Sequence, residues 1–226
     1  MTIILHGENV IKSRERLVKL LTEAKFNGKE IERLTAKQLS PAMLETALQK
    51  TSLFGTEQMV IIEELHSLPR SAKKNQLIDI VSKANVTVIL WEKRDLTPTM
   101  LKKFPKAQVE QFKLTNTLFA WLDAFSPQTA KQKYFELSQK AQSADGEHTC
   151  FAMLVRQVRL LIQIKDGTTP GGPPFVIAKL KKQAQGFSLA QLLSIHHQLY
   201  TIDINAKTSG SFLSVGQELD LLGANL

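Results

Sequence analysis

Hydrophobic positions follow two different patterns along the chain, and the change falls near residue 113. Before it, short apolar runs alternate with segments of helical period. The runs lie at residues 2–6, more weakly at 30–34, then at 59–64, 86–92 and 108–112. Met59-Val60-Ile61-Ile62 and Val86-Thr87-Val88-Ile89-Leu90-Trp91 are almost unbroken, as in parallel strands covered on both faces. Between the runs, residues 13–24 place Leu17, Leu20, Leu21 and Ala24 on one helix face, residues 41–49 read as a second helix, and residues 73–83 carry Leu77, Ile78 and Val81. Alternation of this kind predicts an α/β domain with a parallel sheet over residues 1–113.

Beyond that point the strand pattern fades, and an all-helical second domain is predicted over residues 114–226. Leu118, Phe119, Trp121, Leu122 and Phe125 form one helical cluster. Ser126-Pro127 reads as an N-cap with proline at the first helical position, opening a helix that runs to about residue 143 before Asp145-Gly146 breaks it. Phe151, Leu154, Val155, Val158, Leu161 and Ile162 define the next helix, which stops at Asp166-Gly167. The stretch TTPGGPP, residues 168–174, is a loop. Helices over 176–185 and 188–206 follow, the latter with Leu189, Leu192, Leu193, Leu199, Tyr200 and Ile202 inward.

Composition narrows the classes. The chain has 226 residues, 43% hydrophobic and 22% charged, enough to bury a core. Lys and Arg outnumber Asp and Glu by 29 to 21, giving +8 and favouring polyanionic partners without specifying one. A single cysteine, Cys150, excludes an internal disulfide and suits a reducing compartment. No stretch approaches the ~18 apolar residues of a membrane span. The N-terminus carries no basic leader with an apolar core, so a cytoplasmic location without membrane contact is expected.

Four features hold candidate chemistry. HGENVIKSRE, residues 6–15, joins the first strand to the first helix, and Gly7, Lys12 and Ser13 are fragments of a phosphate-binding loop. The second glycine is missing and the spacing is one residue short, so the amides cannot be expected to wrap a triphosphate. Val60-Ile61-Ile62-Glu63-Glu64 has the form of a metal-holding strand, with Glu where Asp is needed; nucleotide hydrolysis is therefore not expected, and no cofactor is implied.

In QKTSLFGTEQ, residues 49–58, Leu53 and Phe54 precede Gly55. They either plug the sheet edge or stand out as anchors for a partner's pocket. Basic pairs at Lys73-Lys74, Lys93-Arg94 and Lys102-Lys103 lie mostly after predicted strands, where they form either solvated faces or nucleic-acid contacts; Lys181-Lys182 is a fourth. His196 and His197 are adjacent, about 100° apart on a helix, and cannot share one metal ion; His196 falls on the apolar stripe as a core residue. Cys150 has no metal-ligand spacing around it, and no Gly-x-Ser-x-Gly elbow is present.

Taken together, the chain resembles the delta subunit of the bacterial DNA polymerase III clamp loader. IILHGENVIKSRERL is similar to that family's opening strand and degenerate phosphate turn, and TSLFGTEQMVIIEEL to its clamp-contacting Ser-Leu-Phe and the strand that follows. PPFVIAKLKKQAQGFSLAQLLSIHHQLYTIDINAKTSG, residues 173–210, resembles its C-terminal signature of Pro-Phe, Gln-Ala, Phe-Ser and Asp followed by Lys-Thr. The resemblance implies a decayed AAA+-type α/β domain and a helical collar. The family's middle helical lid is missing here, since the Trp121 helix leads almost at once into collar-like sequence.

It also implies a subunit that opens the sliding (beta) clamp without hydrolysing ATP. Leu53 and Phe54 would enter the clamp pocket, flanked by Gln49, Thr51 and Ser52. Other loader subunits, of gamma/tau and delta-prime type, would be partners, with primer-template DNA a secondary one contacted by Lys73, Lys74, Lys93, Arg94, Lys102 or Lys103. An active small P-loop ATPase and a stand-alone basic DNA-binding module remain the alternatives.

Overall fold

The computed structural model describes residues 1–49, 57–208 and 210–226. Two compact units divide the chain, Met1–Lys113 and Leu114–Leu226.

The first unit is a five-stranded sheet in the order β2-β3-β4-β1-β5, every neighbouring pair parallel. Its strands are β1 (Thr2–His6), β2 (Glu30–Thr35), β3 (Gln58–Glu63), β4 (Thr87–Glu92) and β5 (Gln108–Gln111). The helices are α1 (Val10–Phe26), α2 (Pro41–Gln49), α3 (Ala72–Ser82) and the single-turn α4 (Pro98–Leu101). The three central strands are the apolar ones, whereas the edge strands EIERLT and QVEQ are polar, as one-sided pairing allows.

Connection handedness decides which face each helix covers. From β1 the chain crosses over β4 and β3 to β2, then returns through β3 and β4 and past β1 to β5. Right-handed crossovers in opposite directions put α1 on one face and the later helices on the other. The two core clusters agree. Leu17, Leu20, Leu21 and Ala24 of α1 pack on Ile3, Leu5, Met59, Ile61, Ile89 and Trp91. Leu44, Leu77, Ile78 and Val81 pack on Ile4, Val60, Ile62, Val88 and Leu90. The reversal of direction occurs at β1, and the crevice outside the carboxyl end of such a strand is where α/β sheets bind ligands.

The second unit contains α5 (Asn116–Ala124), α6 (Lys131–Asp145), α7 (Glu147–Lys165), α8 (Pro174–Gln185), α9 (Leu189–Thr208) and α10 (Val215–Ala224). They surround one core that includes Trp121, Phe125, Tyr134, Leu154, Val158, Leu192, Leu199 and Leu219. Gln183 closes the end of α5, its amide donating to the carbonyls of Leu122 (2.7 Å) and Phe125 (2.9 Å). Close approach of α10 requires Gly223, since a Cβ there would lie 1.9 Å from Cε1 of Tyr134.

Several expectations need correction here. Ser126-Pro127 does not open a helix: Thr129 N–H bonds to the Ser126 carbonyl in a turn, and α6 begins at Lys131. On α9, Leu189, Leu193 and Tyr200 face outward, while Ile195 joins Leu192, Leu199 and Ile202 in the core. His196 is only half-buried, beside Arg159, and Phe119 of α5 is exposed. Helix α10, absent from the sequence reading, is fixed by a capping box between Ser214 and Gln217.

Candidate functional site

The turn after β1 is shaped by the strand beside it. Gly7 has φ +134°, and a Cβ on it would stand 2.2 Å from the Phe112 carbonyl oxygen, so only glycine fits. Its amide donates to the Arg94 carbonyl (3.2 Å), and the next-but-one amide, of Asn9, donates to the Phe112 carbonyl (2.9 Å). Asn9 then caps α1, its side-chain oxygen accepting from Lys12 N–H (3.1 Å), which explains why the helix starts at Val10 rather than near Ser13.

Ser13 is fully buried. Its hydroxyl donates to the Val10 carbonyl (3.0 Å) and accepts from the Trp91 indole N–H (3.2 Å). The amides of Gly7 and Asn9 and the Ser13 hydroxyl, which a phosphate loop would turn outward, are thus bonded within the fold.

The paired carboxylates at the end of β3, Glu63 and Glu64, are engaged in the same way. Glu63 accepts a bidentate bond from Arg14 (2.8 and 2.7 Å), whose guanidinium lies 3.5 Å over the Trp91 ring. Hydrogen bonding from Arg14 holds the Glu63 carboxyl below the usual carboxylate range. Glu64, in the left-handed region at φ 60°, pairs with Lys93 at 2.5 Å.

Behind them lies a buried polar cluster. Glu92, with no exposed surface, accepts from His66 N–H (2.7 Å) and sits 3.0 Å from Nδ1 of the same residue. Lys74 donates to the carbonyls of His66 (2.6 Å) and Leu68 (2.7 Å), and Arg94 also donates to the His66 carbonyl. Burial, then the Arg94 charge, push the Lys74 ammonium's pKa below its ordinary value. His6, also buried, accepts from Leu96 N–H (3.2 Å), and burial lowers its pKa.

Placement of the expected contact residues is therefore uneven. Lys73, Lys102 and Lys103 are exposed. Lys74 is not a surface lysine at all; its side chain runs inward and its ammonium binds two carbonyls. Lys93 and Arg94 are exposed but tied to Glu64 and His66. Gln49 ends α2 and is exposed. Thr51, Ser52, Leu53 and Phe54 lie outside the described residues. Glu57, which precedes β3, is at the amino end of the sheet, opposite the Gly7 turn, and pairs with Lys29 at 2.6 Å.

Sequence reasoning missed Arg14, His66 and Glu92. A charged residue closing an apolar strand, as Glu92 does, was the one available signal. Among the described residues no group of three or more His, Cys, Asp or Glu could hold a metal ion, and no helix is long and apolar enough to cross a membrane.

No protein-family model and no curated protein matches the chain. Solved structures do match, among them the DNA clamp loader delta protein YqeN of Bacillus subtilis. The two share 15% identity with a TM-score of 0.46, over 99% of this chain and 94% of that one.

Proposed function

We propose that the protein is a clamp-loader delta-like subunit that binds and opens a sliding clamp during DNA replication and does not hydrolyse ATP. The observation that carries this reading is the state of Ser13. At the position where a nucleotide-binding turn presents a hydroxyl to its metal, this one is buried and bonded to Val10 and Trp91. A sheet with the layout of a nucleotide-binding domain, whose phosphate turn is closed on itself, is suited to act as a scaffold. The Ser-Leu-Phe resemblance supplies what the scaffold would present.

In this mechanism Leu53 and Phe54 enter an apolar pocket on the clamp, with Gln49, Thr51 and Ser52 beside them. Buried anchors of this kind are worth about 2 kcal/mol or more each. That energy opens the clamp only to the extent that the wedge binds the sprung conformation more tightly than the closed one. The helical unit would serve as the collar that joins the other loader subunits. It carries exposed apolar residues on α9, namely Leu193, Tyr200 and Ile204, consistent with such a role. The test is release of a clamp preloaded on nicked circular DNA: the protein alone should accelerate release without ATP, and an unchanged release rate would count against opening.

A further inference from the structure

We infer that the helical unit carries a docking pocket for a short acidic peptide of another protein. The peptide places a large apolar side chain among α5, α7 and α8 and a carboxylate against Arg156. The pocket lies wholly within the second unit and stands whether or not the protein opens a clamp.

Three helices build it. Phe119, Leu122 and Asp123 share one face of α5, and Met153, Arg156, Gln157 and Leu160 recur at helical spacing on α7, so both helices turn a face toward the same space. The third wall is the start of α8, where Pro173 and Pro174 fix the backbone and set Phe175 at the second helical position. The lining is mainly apolar and the volume is about 430 Å³. That lies within the range of about 300–1,000 Å³ typical of ligand sites. Phe119 and Phe175, from two different helices, remain 42% and 68% exposed. A single exposed Phe is ordinary, whereas two that border one concave apolar space mark a place where something binds.

Charge sets what fits. Asp123 pairs with Lys179 (2.9 Å), and the Gln157 amide donates to the Gln183 side-chain oxygen (2.6 Å). Arg156, by contrast, makes no ion pair or hydrogen bond among the described residues. Beyond the Asp123–Lys179 pair, which both spaces share, lies a more polar hollow of about 350 Å³ bordered by Ser126, Thr129 and Lys182. Three cations, Arg156, Lys179 and Lys182, therefore border the two hollows against one carboxylate that is already paired. An extended peptide with an apolar anchor and acidic neighbours satisfies both hollows at once. The two prolines hold one wall in place before binding, which lowers the ordering cost.

The test selects phage-displayed random peptides on the immobilised full chain and measures the strongest one, synthesised with fluorescein, by anisotropy. The selected peptides should share a Leu, Phe or Trp with Asp or Glu close to it. Phe175→Ala should weaken binding about tenfold or more, as loss of an anchor contact does. Arg156→Gln should weaken it about threefold at low salt and leave it unchanged near 1 M salt. Phe26→Ala removes an equally exposed ring from the first unit and should match wild type, as should Leu53→Ala/Phe54→Ala.

Selected peptides without carboxylates, a loss as large in Phe26→Ala as in Phe175→Ala, or no selection above the Phe175→Ala background would overturn the site. So would Phe175-dependent self-association in sedimentation velocity without peptide binding, which would make a second copy of the chain the occupant. Binding of decanoate but of no peptide would overturn it as well.

Discussion

The indole N–H of Trp91, at the end of β4, donates to the hydroxyl of Ser13, in the first turn of α1, across 3.2 Å. Both residues are buried, and the bond joins positions 78 apart in the chain. Ser13→Ala would strand a buried donor, at a cost of about 1–3 kcal/mol. Adding Trp91→Phe removes that donor, so the double variant should be more stable than the sum of the single losses. Urea unfolding of the full cycle measures the coupling.

Gly7→Ala should be more damaging. Its φ of +134° is closed to a side chain, and the added carbon would collide with the Phe112 backbone. A loss of more than about 2 kcal/mol, or failure to fold, is expected, whereas Gly28→Ala, with open space around it, should lose less even at its φ of +70°. Thermal unfolding of the two variants side by side decides it.

Breaking the Arg14 and Glu63 pair should cost only modestly, because the side chains are 38% and 25% exposed. Arg14→Met is expected to lose about 1 kcal/mol at low salt, including its stacking on Trp91, and less at 1 M salt. A loss that does not respond to salt would mean that packing, not charge, is what the arginine contributes.

Acid should weaken the fold in two stages. His6 has a lowered pKa, so its contribution is complete above its ordinary value of 6.5 and is lost as pH falls through the folded value. Glu63 is also lowered, so its contribution holds above the ordinary carboxylate range and is lost at lower pH. The urea midpoint should therefore drop between pH 7 and 5 and drop further below about 4.5. His6→Gln should flatten the first stage and Glu63→Gln the second.

The strands and the parallel α/β pattern were largely legible because β3 and β4 are covered on both sides and therefore written as continuous apolar runs. The α9 face was not. Its apolar residues are spread around the helix, so period alone could not choose between Leu193 or Tyr200 and Ile195 as core. Lys74 looked like half of a solvated basic pair. Its four-carbon stem instead lets the ammonium reach inward to two carbonyls of the preceding turn, an arrangement without a sequence mark of its own. The bonds that close the phosphate turn likewise join Ser13 to Trp91 and Asn9 to Phe112, distant residues whose pairing only the sheet order creates. The missing glycine singled out that turn, but not the partners its groups take.

The most direct test of the account is binding of the protein to the sliding clamp of its own cell, by biosensor, beside a Leu53→Ala/Phe54→Ala variant shown to be folded by circular dichroism. The account predicts clamp binding by wild type and a loss of about a hundredfold or more in the variant, as expected when two anchor residues are removed. Absence of binding by folded wild type at micromolar concentration, or equal binding by the variant, would contradict it.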